Sequence, residues 1–192
     1  ALPVQAATVL VTGTNRGIGL EFVRQYAEAG WTVIGTAREP SKAAQLQALA
    51  AKHKNVSIEK LDVADSASIA ALATRLKGKP IDVLVNNAGT LGDVPKQTVG
   101  ALDLAEFEKV MAANTFGALK LSEALKPNLL AGQQKKVFAM TSGLGSSELT
   151  ARRDEVAQGR VVGPGREGRG GRVSGCHALR YAARPCCRRA RR

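Results

Sequence analysis

The stretch Thr12–Gly19 reads TGTNRGIG and carries three glycines in the spacing G-x-x-x-G-x-G. It follows the apolar run Ala7–Val11 and leads into Ile18–Ala29, where apolar residues that begin with Ile18 recur at helical spacing and are predicted to form a buried stripe. This pattern predicts a strand, a glycine turn and a helix start in immediate succession. A helix start offers backbone N–H groups without partners and the positive end of the helix dipole, so the predicted geometry suits a pyrophosphate.

Each glycine of the turn has its own predicted role. Gly13 permits the tight turn, Gly17 lets the backbone approach a phosphate, and Gly19 lets the helix pack closely. Three glycines alone are a weak signal. The strand before them and the helix after them favour a nucleotide-binding turn.

Strands and helices alternate along the rest of the chain. Apolar runs predict five strands, at Ala7–Val11, Trp31–Ala37, Val56–Leu61, Ile81–Val85 and Val137–Thr141. Helical spacing predicts helices at Ile18–Ala29, Ser41–Lys52, Ser66–Leu76 and Asp103–Leu125, the last stopped by Pro127. Continuous apolar strands alternating with helices indicate an α/β fold, a doubly wound parallel sheet of the Rossmann type. Right-handed crossovers predict the strand order 3-2-1-4-5, with the sheet incomplete after strand 5.

Polar motifs follow the predicted strands, at the edge where ligands bind in open α/β sheets. Asp62-Val63 comes after the third strand, Asn86–Gly89 (N-N-A-G) after the fourth and Ser142 after the fifth. Asn114 lies inside the long helix before the fifth strand. Together with the glycine turn, these motifs resemble, in order and spacing, those of the short-chain dehydrogenase/reductase family.

The resemblance runs from about residue 8 to residue 145 and implies hydride transfer between a nicotinamide cofactor and a carbonyl or alcohol substrate. It implies that Ser142 bonds the substrate carbonyl oxygen and that Asn114 holds a water of the proton relay. The predicted cofactor-binding residues are Gly13, Asn15, Arg16, Gly17, Ile18, Gly19, Arg38, Asp62, Val63, Asn86, Ala88 and Gly89. Within the family, the glycine turn and Met140–Ser142 are similar to the C-factor-like carbonyl reductases.

Two arginines predict which nicotinamide cofactor binds. Arg38 ends the second strand, where an acidic residue binds the ribose 2′-OH in NAD sites and an arginine accommodates the 2′-phosphate of NADP. Arg16, inside the glycine turn, is placed to supply a second cation, because guanidinium groups pair strongly with phosphate. The alternative is that both are solvated surface arginines. We predict NADP(H) rather than NAD(H).

The polar motifs also have plain structural interpretations. Asp62 is suited to cap the helix that follows, Asn86–Gly89 to end a strand in a turn, and Ser142 to occupy a turn. Asn114 has poor helical propensity, which indicates a buried polar role. Because the motifs follow strands at the ligand-binding edge, we favour cofactor and substrate contacts.

The catalytic tyrosine of the family has no counterpart at its expected place. The resemblance implies a Tyr-x-x-x-Lys motif after the serine, in which the tyrosine donates the proton and the lysine lowers its pKa. The chain has two tyrosines, Tyr26 in the first helix and Tyr181, which has Pro185 four residues on. No lysine follows Lys136. Two alternatives therefore stand, an NADP(H)-dependent oxidoreductase and a catalytically inactive NADP-binding remnant.

The composition changes near residue 147 and divides the chain into two predicted parts. Residues 1–146, the predicted NADP-binding Rossmann domain, carry 16 Lys and Arg against 12 Asp and Glu, whereas residues 147–192 carry 12 against 4. The Arg/Gly-rich tail shows no helical or strand period and is predicted to be irregular or disordered. A frameshift or sequencing error near residues 146–152 is our hypothesis for its origin, because GC-rich codons read out of frame yield such a composition.

Several partner classes are disfavoured. Arg-Gly segments bind single-stranded nucleic acid electrostatically, but Tyr181 is the one aromatic residue of the tail, so nucleic acid is a weak alternative. No apolar run approaches the ~20 residues that span a bilayer, and the three cysteines fit no metal pattern. We expect a cytoplasmic protein with a small carbonyl or alcohol substrate. The resemblance implies a homo-oligomer for the intact family but not here, because the helix that the family uses for dimerisation would be absent. Strand 5 would be a bare apolar edge, which is an aggregation liability.

Overall fold

Six strands form one sheet in the computed structural model, which describes residues 6–142 and 176–180. They are β1 (Thr8–Val11), β2 (Thr32–Ala37), β3 (Val56–Lys60), β4 (Val83–Asn86), β5 (Lys136–Met140) and β6 (Cys176–Arg180). The first five run parallel in the spatial order 3-2-1-4-5, which confirms the predicted Rossmann-type sheet. The carboxyl ends of these strands therefore lie along one edge.

Helices cover both faces of the sheet. They are α1 (Gly17–Glu28), α2 (Ala44–Lys52), α3 (Ser66–Arg75), α4 (Leu104–Met111), α5 (Gly117–Ala124) and α6 (Lys126–Ala131). Successive residues of β1 enter different core clusters, because strand side chains alternate between faces. Leu10 packs in one cluster with Leu72 of α3 and Leu121 of α5, and Val11 packs in the other with Val23 of α1. None of the helices in the described ranges is long and apolar enough to span a membrane.

The predicted long helix Asp103–Leu125 is interrupted. Helix α4 ends at Met111, Ala112–Phe116 forms a π-helical turn, and α5 continues from there. Pro127 does not stop a helix but lies in the first turn of α6, where its missing N–H needs no intrahelical partner. Single π turns are frequent at functional sites. This one contains the predicted site residue Asn114.

The parallel sheet ends at β5, as predicted, but β5 is not the bare edge that was expected. β6 pairs antiparallel with β5, with Lys136 opposite Arg180 and Met140 opposite Cys176. The N–H and C=O groups at the edge of a sheet can form hydrogen bonds with another extended segment. Five residues of the tail form such a strand, where an irregular tail was expected. The rest of the tail, including Tyr181 and the predicted junction near residue 146, lies outside the described residues, and the domain division stays a prediction.

A buried carboxylate joins the amino ends of three strands. Asp82 accepts backbone hydrogen bonds from Thr8 (2.8 Å), Gln133 (2.7 Å) and Gln134 (3.1 Å). Thr8 starts β1, Asp82 precedes β4, and the two glutamines lead into β5. Burial alone raises the pKa of Asp82, but these three N–H groups hold it below its ordinary value. The ionised carboxylate is therefore the form that the fold requires.

Candidate functional site

The glycine turn is tied on one side to the end of β2. Both the N–H and the hydroxyl of Thr14 donate to the carbonyl oxygen of Thr36, at 2.9 and 3.0 Å. Thr14 is fully buried, so these bonds are shielded from water. Because Arg38 comes two residues after Thr36, this contact sets the distance between the turn and that arginine.

The turn is tied on its other side to the motif after β4. The Thr12 hydroxyl oxygen accepts the N–H groups of Asn87 and Ala88, both at 2.9 Å. In return, the Asn87 side-chain amide donates to the carbonyl oxygens of Thr12 (2.8 Å) and Gly13 (3.2 Å). This role could not be predicted from the sequence, because the partners lie 75 residues apart. The sequence feature that could have indicated this role is Asn87, the second asparagine of the N-N-A-G motif.

We expect Thr12→Val to lower the free energy of unfolding by about 2–4 kcal/mol, because two partly buried N–H groups lose their acceptor and each costs about 1–3 kcal/mol. Thr12→Ser keeps the hydroxyl and should cost less than about 1 kcal/mol. Urea unfolding followed by circular dichroism measures both variants. Equal losses for the two substitutions would show that the hydroxyl does not hold the turn.

The three glycines occupy positions that a side chain would disturb in different ways. Gly13 and Gly17 have φ values of 69° and 61°, in the left-handed region that favours glycine. A Cβ on Gly13 would lie 2.9 Å from the Ala88 Cα, and one on Gly19 would lie 2.3 Å from the Gly13 carbonyl oxygen. These distances confirm the tight turn and the close helix packing. A Cβ on Gly17 meets no described atom within 4 Å, so its backbone faces open space.

The start of α1 is open to an anion. Arg16 is the N-cap residue, but its side chain makes no capping hydrogen bond, and the first turn contains no acidic residue. Ile18 was expected in the buried stripe of the helix, yet it is 63% exposed, because the first turn extends beyond the sheet edge. Asn15 and Arg16 are exposed beside it. Unpaired N–H groups, open space and a nearby cation are the features that a phosphate group requires.

Asp62 and Val63 lie after β3, at the same edge. The Asp62 carboxylate accepts the Ala64 N–H at 3.0 Å through Oδ1, while Asp65 caps α3 by accepting the Ala67 N–H at 2.9 Å. The cap that sequence analysis considered for Asp62 therefore belongs to Asp65. This division of roles leaves the Oδ2 atom of Asp62 for a ligand.

A glycine that sequence analysis did not single out positions Val63. Gly117 is the first residue of α5 and is buried, and a Cβ there would lie 2.4 Å from the Val63 carbonyl oxygen. Helix α5 therefore packs directly on the backbone of the Asp62-Val63 motif. The available signal was a glycine inside a predicted helix, where it is unfavourable by about 1 kcal/mol relative to alanine.

The residues after β4 make different contacts from those expected. The Asn86 amide donates to the Ser122 hydroxyl of α5 at 3.2 Å, and its buried Oδ1 has no partner among the described residues. Asn114 was expected to be buried but is exposed. Its amide accepts the Thr90 N–H and donates to the Thr90 carbonyl oxygen, both at 2.8 Å. It lies beside Gly89, where a Cβ would come 3.2 Å from its oxygen, so Asn114 anchors the loop after β4.

The predicted catalytic serine lies at the same edge of the sheet. Ser142 follows the end of β5 by two residues and is exposed. Tyr26, in α1, packs edge-on against Trp31 with ring centroids 5.0 Å apart. It lies about 14 Å along α1 from Gly17, away from the ligand-binding edge. Ser142 therefore has no tyrosine beside it within residues 6–142, and the same ranges contain no group of His, Cys, Asp and Glu that could hold a metal ion.

Comparisons with known proteins agree with this geometry. The family model described as short chain dehydrogenase matches residues 7–152 and ends at the predicted junction of the tail. The NADPH-dependent pterin aldehyde reductase of Arabidopsis thaliana is 33% identical over 147 residues, which cover 75% of this chain and 60% of the relative. The (-)-isopiperitenone reductase of Mentha piperita is 42% identical over 122 residues, which cover 60% and 37%.

A solved structure supports the same relationship. The NADPH-bound carbonyl reductase from chicken fatty liver is 40% identical, with a TM-score of 0.59. The match covers 66% of this chain and 52% of that protein. The chain thus spans about half the length of the relatives that it matches.

Proposed function

The chain belongs to the short chain dehydrogenase family, and we propose that it is an NADP(H)-dependent oxidoreductase acting on a small carbonyl or alcohol substrate. One observation carries the proposal, the open backbone face of Gly17 at the uncapped start of α1. The similarity to an NADPH-dependent pterin aldehyde reductase and to an NADPH-bound carbonyl reductase supports it.

Each part of the site has a proposed role toward the cofactor. The N–H groups at the start of α1 bind the pyrophosphate, and Arg16 and Arg38 bind the 2′-phosphate. Asp62 binds the adenine amino group through its Oδ2 atom, beside the backbone of Val63. A bound nicotinamide supplies or accepts the hydride. Ser142 then donates a hydrogen bond to the carbonyl oxygen of the substrate.

The proton donor decides between two candidate functions. The chain contains no Tyr-x-x-x-Lys motif, and Tyr26 packs against Trp31 instead of facing Ser142. An oxidoreductase and an inactive NADP-binding remnant share the cofactor site but differ in turnover. Consumption of NADPH with a panel of small aldehydes and ketones, above the rate without protein, assigns the first. NADPH binding without consumption assigns the second.

Fluorescence titration with NADPH and NADH tests cofactor binding directly. We expect Arg38→Ala to weaken NADPH binding about tenfold or more and to leave NADH within about twofold, because a charge-assisted hydrogen bond contributes about 1.5–3 kcal/mol. Arg24→Ala is the matched control, since Arg24 is exposed on α1 and pairs with Glu21 and Glu28. Equal affinity of the unaltered chain for the two cofactors would refute the NADP(H) preference.

The tail carries a separate proposal of lower rank. Its arginines are a candidate nucleic-acid-binding segment, supported by the 12 Lys and Arg of residues 147–192. RNA binding that weakens steeply with salt, and that disappears when residues 147–192 are deleted, would support this role.

A further inference from the structure

A cavity of about 660 Å³ lies beside the carboxyl ends of β2 and β3. Its charged lining residues are Arg38, Glu39, Lys60, Asp62, Asp65 and Arg75. It adjoins the proposed cofactor site, since Arg38 and Asp62 belong to both. Three cations and three carboxylates give the lining no net charge, so the ligand it suits depends on which of them already have partners.

Three of these charged groups are committed to neighbouring parts of the chain. Arg75 donates to the Glu59 carboxylate and to the Lys60 carbonyl oxygen, both at 2.8 Å. Asp62 and Asp65 each accept a backbone N–H from the residue two positions on, and the remaining Oδ2 atom of Asp62 is the one proposed to bind the adenine. These bonds hold α3 against the end of β3. The charged lining residues still to be accounted for are Glu39, Arg38 and Lys60.

The negative charge of Glu39 is balanced outside the cavity. Glu39 forms an ion pair with Lys42, which does not line the cavity. The hydrogen bond and charge of Lys42 lower the pKa of Glu39, and the charges of Arg38 and Lys60 lower it further. Neither Arg38 nor Lys60 makes a side-chain hydrogen bond or ion pair within residues 6–142. Both cations thus face the cavity without a hydrogen-bonded or ion-paired carboxylate within residues 6–142, and Glu39 acts on them only through its charge.

We infer that Lys60 holds the 2′-phosphate of NADP(H) together with Arg38 and so helps to select NADP(H) over NAD(H), an inference that rests on the proposed function. Lys60 ends β3 and pairs in register with Ala37, the residue before Arg38. Adjacent strands are about 5 Å apart, so the two cations leave neighbouring strand ends side by side. Arg38 offers a planar bidentate fork and Lys60 a compact charge, and a dianionic phosphate accepts both.

The test uses probes that differ only in the 2′-phosphate. Calorimetric titration of the full chain with 2′,5′-ADP and 5′-AMP isolates that group, and NADPH with NADH repeats the comparison on whole cofactors. We expect Lys60→Met to weaken 2′,5′-ADP and NADPH about tenfold and to leave 5′-AMP and NADH within about twofold, because one charge-assisted contact is lost. Lys60→Arg keeps the charge and should retain most of the preference.

Lys54→Met is the matched control. Lys54 is exposed in the turn before β3, ~15–20 Å from Lys60 at the other end of the same strand, and loses the same charge. Thermal unfolding verifies that all variants fold, which exposed Lys60 should permit. An unchanged preference for the 2′-phosphate in Lys60→Met overturns the inference. An unaltered chain that shows no such preference, or that binds neither cofactor, overturns the proposed function instead.

Discussion

Replacing Gly17 with alanine is expected to weaken NADPH binding about a hundredfold while the chain stays folded. A Cβ at this position meets no described atom within 4 Å, so the methyl group projects into the space proposed for the pyrophosphate. Displacing the phosphate from two N–H groups forfeits about 3 kcal/mol, which corresponds to about a hundredfold in affinity. The left-handed φ of 61° adds a folding cost of about 1–2 kcal/mol. Fluorescence titration and thermal unfolding measure the two effects separately.

Two other glycines supply the controls for this experiment. Gly78 has a φ of 78° and likewise no described atom within 4 Å of its Cβ position, so Gly78→Ala should cost similar stability and leave NADPH binding unchanged. Gly19→Ala should unfold the turn, because its Cβ would lie 2.3 Å from the Gly13 carbonyl oxygen. If Gly17→Ala binds NADPH with unaltered affinity, the pyrophosphate does not bind at the start of α1.

Replacing Asp82 with alanine is expected to lower the free energy of unfolding by about 4 kcal/mol. The carboxylate accepts three backbone N–H groups, from Thr8, Gln133 and Gln134, and is 7% exposed. Each buried donor left without an acceptor costs about 1–3 kcal/mol. Asp82→Asn retains one acceptor oxygen but places an amide NH₂ against a donor, so an intermediate loss is expected. Urea unfolding at neutral pH ranks the three proteins.

The contribution of Asp82 should also depend on pH. Because its pKa is lower in the folded state, its stabilisation is complete above the unfolded pKa of about 4 and is lost as the pH falls through the folded pKa. The stability difference between the unaltered chain and Asp82→Asn should therefore shrink below about pH 4. A difference that stays constant from pH 6 to the acid limit would mean that the ionised form is not the one the fold uses.

Local patterns were sufficient to predict most of the fold. The strands and the order 3-2-1-4-5 follow from continuous apolar runs, since residues such as Val9 and Leu10 are buried on opposite faces. The interruption of the long helix was not predictable in this way. It coincides with the Asn114–Thr90 pair and the packing of Gly117 on Val63, which join residues distant in sequence. Helical periodicity also placed Ile18 inside, because it does not indicate where a sheet ends.

The same division applies to the candidate site. The glycine turn could be predicted from the sequence alone, because the left-handed backbone at Gly13 and Gly17 depends on the residue type at each position. The family could be identified in the same way, because its motifs stand in order along one stretch. The hydrogen bonds by which Thr12 and Asn87 hold the turn became visible only in the folded chain, as did the partners of the charged groups beside Arg38. Such hydrogen bonds and ion pairs join residues on strands that crossover connections bring together from distant parts of the sequence. The sequence therefore cannot show whether a carboxylate lies beside a lysine such as Lys60.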